Sequence, residues 1–265
     1  MKTQSASYIN GIALSEMPRS ELEHFSFSNS AFLWGDSAFT SGLIKEGRLT
    51  LWTGHRARLI SSCDWLYGDH DLYEKIEKKI FDIIKTGHQH FTGKFRVTFF
   101  YEGASKLPCW TLDLSSLSHV SDKKFVTEQV PFTLNRRDTN VKIGSYADVY
   151  QLKRQFEKLD ICLVNDRDEI IEGMHSALLF WHKDKSKWLT PLTTNYKLKS
   201  IGLHYGFADL AYSEEKISAS ELSDYSAAFS INAVYKAVPI TQINDIKFPE
   251  SKERETSLIN MWSEE

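Results

Sequence analysis

Val141-Lys142-Ile143 and Ile171-Glu172-Gly173 place an amine and a carboxylate thirty positions apart in the second half of this chain. The apolar neighbours of Lys142 suit a desolvated amine, which loses its proton more readily than a solvated one. The pattern around Glu172 predicts a strand end before a turn, where its carboxylate would face a site. From the first half, Arg58 in the run His55-Arg56-Ala57-Arg58-Leu59 adds a guanidinium that can hold an anion in fixed geometry.

Each of these side chains alone also fits a structural role: a core-edge lysine, a turn glutamate and an arginine on a helix surface. Their order and spacing, together with the segments around them, favour a shared site. Two further segments could bind an anion through backbone N–H groups, because a helix start or a small polar turn presents such groups. These segments are Ser200-Ile201-Gly202 and Ser230-Ile231-Asn232-Ala233.

The composition narrows the class of protein. Of the 265 residues, 42% are hydrophobic and 25% charged, which is typical of a soluble globular protein with one large or two modest domains. A formal net charge of −3 argues against nucleic-acid binding. No apolar run approaches the ~18 residues of a membrane span and no secretory signal is visible, so we expect a cytoplasmic protein without a membrane partner. The three cysteines lack metal-ligand spacing, which indicates reduced thiols and no metal.

Periodicity predicts strands and two helices in the first part of the chain. The serine-rich stretch Leu112–His119 predicts an interdomain linker, extending over about residues 112–124. We therefore expect a small domain over residues 1–118 and a larger one over residues 119–265. The first domain is predicted to contain a hairpin over residues 42–51, helices over about 56–67 and 71–87, and a half-buried strand over 95–101, in which Arg96 and Thr98 alternate with apolar residues.

In the second domain, Lys142 is expected to precede a helix directly, with Ile143, Tyr146, Ala147 and Tyr150 on one helix face. The remaining predicted elements are strands over residues 161–164 and 169–172, a hairpin over 177–190, a helix over about 200–211, a strand pair over 227–239 and a C-terminal helix over 249–262.

Several motifs, taken in order along the chain, resemble the class IV (fold type IV) family of pyridoxal 5'-phosphate (PLP) enzymes. This family includes branched-chain aminotransferase, D-amino-acid aminotransferase and 4-amino-4-deoxychorismate lyase. The resemblance implies an α/β (α+β) two-domain fold with a small N-terminal α/β domain and a larger PLP-binding domain with a β-barrel-like core. It also implies a homodimer that acts on a small-molecule amine. The motifs are Trp34–Thr40, His55–Leu59, Lys142, Glu172-Gly173, Thr190-Pro191-Leu192, the Ser200 helix start, and Ser230–Ala233 ahead of Val238-Pro239-Ile240.

The resemblance also implies a role for each candidate residue. Lys142 would be the catalytic residue, carrying the cofactor as a Schiff base and moving protons. Glu172 would pair with the ring nitrogen, which works as an electron sink only when protonated. Arg58 would bind the phosphate, with His55 orienting its neighbourhood. Backbone contacts to the phosphate would come from Ile201, Gly202, Asn232 and Ala233.

Within the family the pattern resembles the lyase most, on the evidence of Phe39-Thr40, Phe180-Trp181 and Asn232-Ala233. The expected reaction releases pyruvate from 4-amino-4-deoxychorismate to give 4-aminobenzoate, a step of folate synthesis. An aminotransferase acting on branched-chain or D-amino acids is the first alternative. The second is a cofactor-binding homologue without turnover, because Ala177 stands where the family usually has asparagine, and Tyr101-Glu102-Gly103 replaces an arginine-glycine motif that can bind a substrate carboxylate.

Overall fold

A computed structural model describes residues 5–103, 107–129, 140–145, 147–156, 159–193 and 197–264 of the chain. The chain divides into two compact units, Met1–Ser118 with Asn140–Tyr146, and His119–Thr139 with Ala147–Glu265. Each unit has its own sheet and its own buried core.

The first unit is built on a six-stranded antiparallel sheet with the order β2-β1-β6-β5-β3-β4. Helices α3 and α4 cover one face of this sheet, where Leu59, Ile80 and Phe95 are fully buried. The strands are β1 Ala6–Ile9, β2 Ile12–Ala13, β3 Ser37–Lys45, β4 Arg48–Leu49, β5 Gly93–Glu102 and β6 Leu107–Ser115; the helices are α1 Arg19–Phe27, α2 Ser30–Trp34, α3 Trp52–Tyr67 and α4 His70–Gly87.

The second unit holds a nine-stranded mixed sheet with the order β12-β11-β10-β13-β14-β7-β8-β9, and β15 pairs with β14. The edge strand β9 also contacts β10 and β11, so the sheet curls into a barrel-like shape. The strands are β7 Lys123–Gln129, β8 Asp160–Val164, β9 Ile170–Gly173, β10 Ala177–His182, β11 Lys187–Pro191, β12 Tyr212–Glu215, β13 Tyr225–Asn232, β14 Lys236–Ile243 and β15 Ile246–Lys247; the helices are α5 Ala147–Gln155 and α6 Ser251–Ile259.

Both faces of this second sheet are buried. Along β10, Leu178 and Phe180 enter one apolar core, whereas Leu179 enters another on the opposite face, together with Phe207 and Leu258. This alternation explains the continuous apolar run in β10, because a strand covered on both sides needs no polar face.

The stretch predicted as a linker begins inside a strand, since Leu112 and Leu114 are buried members of β6, and residues 116–122 then continue to β7 without helix or strand. One local prediction was wrong. Lys142 does not directly precede a helix: α5 starts at Ala147, and Ile143 is instead bridged to Ala38 of β3. This pairing is non-local, so no periodicity within residues 140–150 reports it.

The helix predicted over residues 200–211 is reduced to one wide turn over Gly202–Gly206. Two glycines in so short a segment disfavour a regular helix, at about 1 kcal/mol each relative to alanine. Gly206 is needed where it stands, because a Cβ there would lie 2.5 Å from the ring of Trp262.

Candidate active site

A short antiparallel bridge in the first unit fixes the backbone of Lys142. The N–H of Phe39 donates to the Lys142 carbonyl at 2.8 Å, and the N–H of Gly144 donates to the Ser37 carbonyl at 2.7 Å. A Cβ at Gly144 would lie only 1.9 Å from the Ser37 hydroxyl, so this hydroxyl would have to turn away from any larger residue at position 144. The position of Lys142 is therefore set by main-chain bonds to β3.

The Lys142 side chain lies over an aromatic ring that it shares with an arginine. Its Nζ is 4.8 Å from the centroid of the Phe39 ring, and the Arg96 Cζ is 3.8 Å from the same centroid. Phe39 is paired with Thr98, and Ser41 with Arg96, so Phe39 and Arg96 are diagonal neighbours on one face of the sheet. The result is an aromatic surface next to two cationic side chains.

Arg96 is a functional candidate that sequence reasoning missed. The alternation of β5 indicated only that Arg96 and Thr98 avoid the apolar face. The relevant signal is the register between β3 and β5, which becomes visible only when the strands are paired.

Arg58 lies inside the first unit and is only 8% exposed, which rules out the helix-surface role. Its Nε donates to the carbonyl of Asn140 at 3.2 Å, so the guanidinium is tied to the segment that carries Lys142. Arg56, by contrast, is the surface residue of the run and pairs with Glu77 at 3.2 Å.

His55 is fully buried, and the charges of Arg58 and Lys142 both act on it. Its Nδ1 forms a 2.7 Å hydrogen bond with the Thr40 hydroxyl. Burial first, and then the charges of Arg58 and Lys142, lower the pKa of His55 to about 3, so the imidazole is neutral near pH 7. Among the described residues its Nε2 has no hydrogen-bond partner. The neutral ring therefore adds no third charge to those of Arg58 and Lys142.

Glu172 lies in the second unit, on β9, and is buried. Its Oε2 accepts a 3.0 Å hydrogen bond from the N–H of Leu198. His175, three residues further on, is exposed and contacts Tyr150 with 5.8 Å between ring centroids. Ala177 is a buried residue at the start of β10.

The two segments predicted to bind an anion lie against each other in the second unit. A Cβ at Gly202 would be 2.7 Å from the carbonyl carbon of Asn232 and 3.1 Å from the nitrogen of Ala233. Ile201 begins the turn and is buried. The Asn232 side chain orders its own loop, because its Oδ1 accepts hydrogen bonds from the backbone N–H groups two and three residues further along the chain, at 2.9 and 2.8 Å. The two backbone segments can approach this closely because Gly202 has no side chain.

Lys197 is a second residue that the sequence did not indicate. It is only 3% exposed, and its Nζ donates to the carbonyl of Pro191 and, at 3.4 Å, to the hydroxyl of Thr190. In Tyr196-Lys197-Leu198-Lys199 both lysines look equally solvated, so no local pattern separates the buried one from the exposed one.

The predicted residues therefore fall into two groups. Lys142 and Arg58 belong to the first unit, where Asn140 connects them. Glu172, Ile201, Gly202, Asn232 and Ala233 belong to the second. Tyr146, which was predicted on the helix after Lys142, lies outside the described residues.

Residues 37–243 match the sequence profile of the amino-transferase class IV family. The chain belongs to this family. Class IV aminotransferases are PLP-dependent enzymes, so the cofactor prediction is confirmed, and so is the prediction of an α/β fold of type IV. No curated protein matches the sequence.

Solved structures share this fold over nearly the whole chain. A hypothetical aminotransferase from Mycobacterium tuberculosis in its apo form is 15% identical with a TM-score of 0.77, covering 96% of this chain and 97% of its own. The 4-amino-4-deoxychorismate lyase from Pseudomonas aeruginosa is 14% identical with a TM-score of 0.71, covering 96% and 98%. The branched-chain aminotransferase from Thermoproteus uzoniensis with norvaline is 12% identical with a TM-score of 0.74, covering 97% and 94%.

The residues of this class IV chain fit PLP. The donor set comprises an amine, a buried guanidinium and a buried carboxylate, which suit the aldehyde, the phosphate and the ring nitrogen respectively. The contact between Gly202 and Asn232 leaves a cradle that a Cβ would fill. These are the observations on which PLP binding by particular residues is proposed below.

The described parts of the chain offer less support for other kinds of site. These parts contain no cluster of three or more His, Cys, Asp or Glu residues able to hold a metal ion. All three cysteines are buried and free of disulfides. Among the described helices, none has the length and apolarity of a membrane span.

Proposed function

We propose that this class IV enzyme is a cytoplasmic, homodimeric lyase resembling 4-amino-4-deoxychorismate lyase. It would act on a small-molecule amine, releasing pyruvate from 4-amino-4-deoxychorismate and leaving 4-aminobenzoate for folate synthesis. The observation that carries the proposal is the Phe39 ring with Lys142 and Arg96 over it.

The chemistry of this substrate matches that arrangement. Aminodeoxychorismate combines a cyclohexadiene ring with an amine and two carboxylates. The Arg96 guanidinium, which is stacked on the Phe39 ring, can pair with a carboxylate of this substrate near the Lys142 amine. An aliphatic amino acid offers the arginine one carboxylate, whereas aminodeoxychorismate offers two.

Lys142 has two tasks in this proposal. Its amine would hold the cofactor, and with the substrate bound it would take the proton from the ring carbon that bears the substrate amine. The C–O bond to the enolpyruvyl group breaks as the ring aromatises, and the proton passes to the departing enolpyruvate, which becomes pyruvate. PLP, when bound, supplies the electron sink for this step.

The other residues bind and orient. Arg58 neutralises phosphate charge, with backbone N–H groups at Ile201, Gly202, Asn232 and Ala233 as further donors. Glu172 holds a proton on the ring nitrogen. Neutral His55 adds no further positive charge near Lys142 and Arg58, and its hydrogen bond to Thr40 keeps the ring oriented.

An aminotransferase is the second candidate function, supported by the family match and by the presence of aminotransferases among the structures of similar fold. It would use the same residues, with Lys142 returning the proton to the cofactor rather than to a leaving group. Arg96 would then bind the carboxylate of an amino acid or of a 2-oxo acid.

A homologue without turnover is the third candidate, because Ala177 replaces the usual asparagine. Arg96 argues against this candidate, because this arginine on β5, near Lys142, can bind a substrate carboxylate although the loop after β5 contains no arginine. The three candidates differ in their products and are therefore separable by experiment.

The first experiment tests the cofactor residue. Purified protein with PLP should show a visible absorption band that Lys142→Ala lacks. Borohydride followed by peptide mapping should place the pyridoxyl group on Lys142. A mutant that keeps the band would refute the assignment of Lys142.

The second experiment tests the reaction. Aminodeoxychorismate without any amino acceptor should yield pyruvate and 4-aminobenzoate in equal amounts. Arg96→Gln should raise KM by tenfold or more, whereas the exposed Arg56→Gln should not. Glutamate formation from 2-oxoglutarate without pyruvate release would favour the aminotransferase, and a PLP-bound protein inert toward every amine would favour the homologue without turnover.

A further inference from the structure

We propose that Lys197 is a positioning residue for Glu172: its buried ammonium, and the backbone next to it, keep the Glu172 carboxylate ionised and oriented. The proposal rests on the role proposed above for Glu172, since an ionised carboxylate is what the protonated ring nitrogen of PLP requires.

The first support is a chain of hydrogen bonds within the second unit. The Lys197 Nζ donates to the carbonyl of Pro191 and to the hydroxyl of Thr190 at 3.4 Å, both at the end of β11. The next residue, Leu198, donates its N–H to Glu172 at 3.0 Å. The lysine thus anchors to β11 the segment that holds the carboxylate.

The second support is the balance of charge. A fully buried ammonium is unfavourable unless negative charge lies nearby. Burial lowers the pKa of Lys197, while the charges of Glu214 and Glu172 oppose this shift. Both carboxylates therefore act on the lysine, and by reciprocity the lysine acts on both of them.

Of these two carboxylates, Glu172 depends more on the lysine. Glu214 is 4.0 Å from the Lys197 Nζ, but its side chain is 40% exposed and it also accepts from the N–H and hydroxyl of Thr193 at 3.1 and 2.9 Å. Glu172 is only 7% exposed, so water stabilises its charge far less. Removing the lysine charge should consequently affect Glu172 more than Glu214.

A purely structural lysine could be replaced by an apolar side chain of similar length. Lys197→Met fills the same space without charge, Lys197→Arg keeps the charge, and Lys199→Met is the matched control on an exposed lysine two residues away. Circular dichroism and thermal melting should show that all three variants fold.

The decisive readout is the ionisation of Glu172 in the cofactor-free protein, followed by carbon-13 NMR of labelled glutamate and assigned with Glu172→Gln. In Lys197→Met the midpoint of this titration should rise by about one pH unit or more relative to wild type, because a buried carboxylate without a nearby cation favours its neutral form. Lys197→Arg should restore most of the shift, and Lys199→Met should leave the midpoint unchanged. A folded Lys197→Met with a wild-type midpoint would overturn the proposal.

A reciprocal measurement covers the case in which Lys197→Met fails to fold. NMR of the Lys197 amine should show a lower titration midpoint in Glu172→Gln than in wild type. If Glu214→Gln moves that midpoint and Glu172→Gln does not, the lysine serves Glu214 and the proposal is wrong.

The failure of this proposal can be told apart from the failure of the proposed function. The titrations use protein without PLP and do not depend on any reaction. With PLP added, Lys197→Met should bind the cofactor more weakly than Lys199→Met, because a Glu172 carboxylate that is less ionised or less well oriented pairs less well with the ring nitrogen. Loss of the visible band in wild type would instead contradict PLP binding itself.

Discussion

Acidification should destabilise the first unit through His55. The imidazole is fully buried, and its pKa falls from 6.5 to about 3 in the folded protein. In the unfolded chain this histidine binds a proton below pH 6.5, whereas in the folded chain it binds one only below about pH 3. The contribution of neutral His55 to the free energy of unfolding is therefore complete above pH 6.5 and declines as the pH falls. Between pH 7 and pH 5 this linkage removes about 2 kcal/mol of unfolding free energy.

The assay is urea denaturation at pH 7, 6 and 5, with His55→Gln as the test variant. This change keeps a polar group near Thr40 but removes the titrating ring. It should cost stability at pH 7 because of imperfect packing, but the gap from wild type should shrink by about 2 kcal/mol at pH 5. His90→Gln, an exposed histidine in the same unit, should follow the wild-type profile at each pH.

A constant gap between wild type and His55→Gln across this range would refute the reasoning. It would mean that the folded chain accepts the proton at His55 despite the adjacent Arg58 and Lys142. An NMR titration of the ring provides a direct check, since it should remain neutral at pH 5.

Three glycine substitutions give graded predictions for stability and cofactor binding. Gly202→Ala should cost about 1–3 kcal/mol and weaken PLP binding, measured by spectral titration, because its Cβ would lie 2.7 Å from the backbone of Asn232. Gly144→Ala should cost less, about 1 kcal/mol by urea denaturation, since the Ser37 hydroxyl at 1.9 Å can rotate away. Gly87→Ala should be neutral or stabilise by up to about 1 kcal/mol, because only one atom lies as near as 4.0 Å and α4 gains a better helix former.

The sequence was most informative where structure is local. The apolar period over residues 71–87 and the alternation over residues 95–101 correspond to α4 and β5, each within three residues at either end. Both patterns report that one face of the element is buried, and their period is set by the geometry of the element itself, so they are readable without knowledge of the rest of the fold.

Predictions failed where a contact joins distant parts of the chain. Residues 142–144 pair with residues 37–39, about a hundred positions earlier, and the local sequence resembles a helix start. Here the partner strand, not the local residue types, determines the conformation.

The same limit applies to the site. Lys142, Arg58 and Glu172 could be proposed because their order matches a family pattern and their residue types match one cofactor. Arg96 and Lys197 could not be proposed in this way. Arg96 matters through its contact with Phe39 on the paired strand, and Lys197 through its hydrogen bond to Pro191. Charged residues in mixed segments are usually solvated; burial distinguishes Lys197, and the pairing of β3 with β5 distinguishes Arg96.

Each group of candidate residues is held by bonds within its own unit, and this has a consequence for how substitutions should combine. In the first unit the backbone around Lys142 is fixed by Phe39 and Gly144, and Arg58 is bonded to the same segment. In the second, Leu198 orients Glu172, and Lys197 anchors that segment. A substitution in one unit therefore leaves the hydrogen bonds of the other in place. Loss of covalent attachment and loss of control over the ring nitrogen are accordingly separate defects, which the borohydride test and the Glu172 titration measure independently.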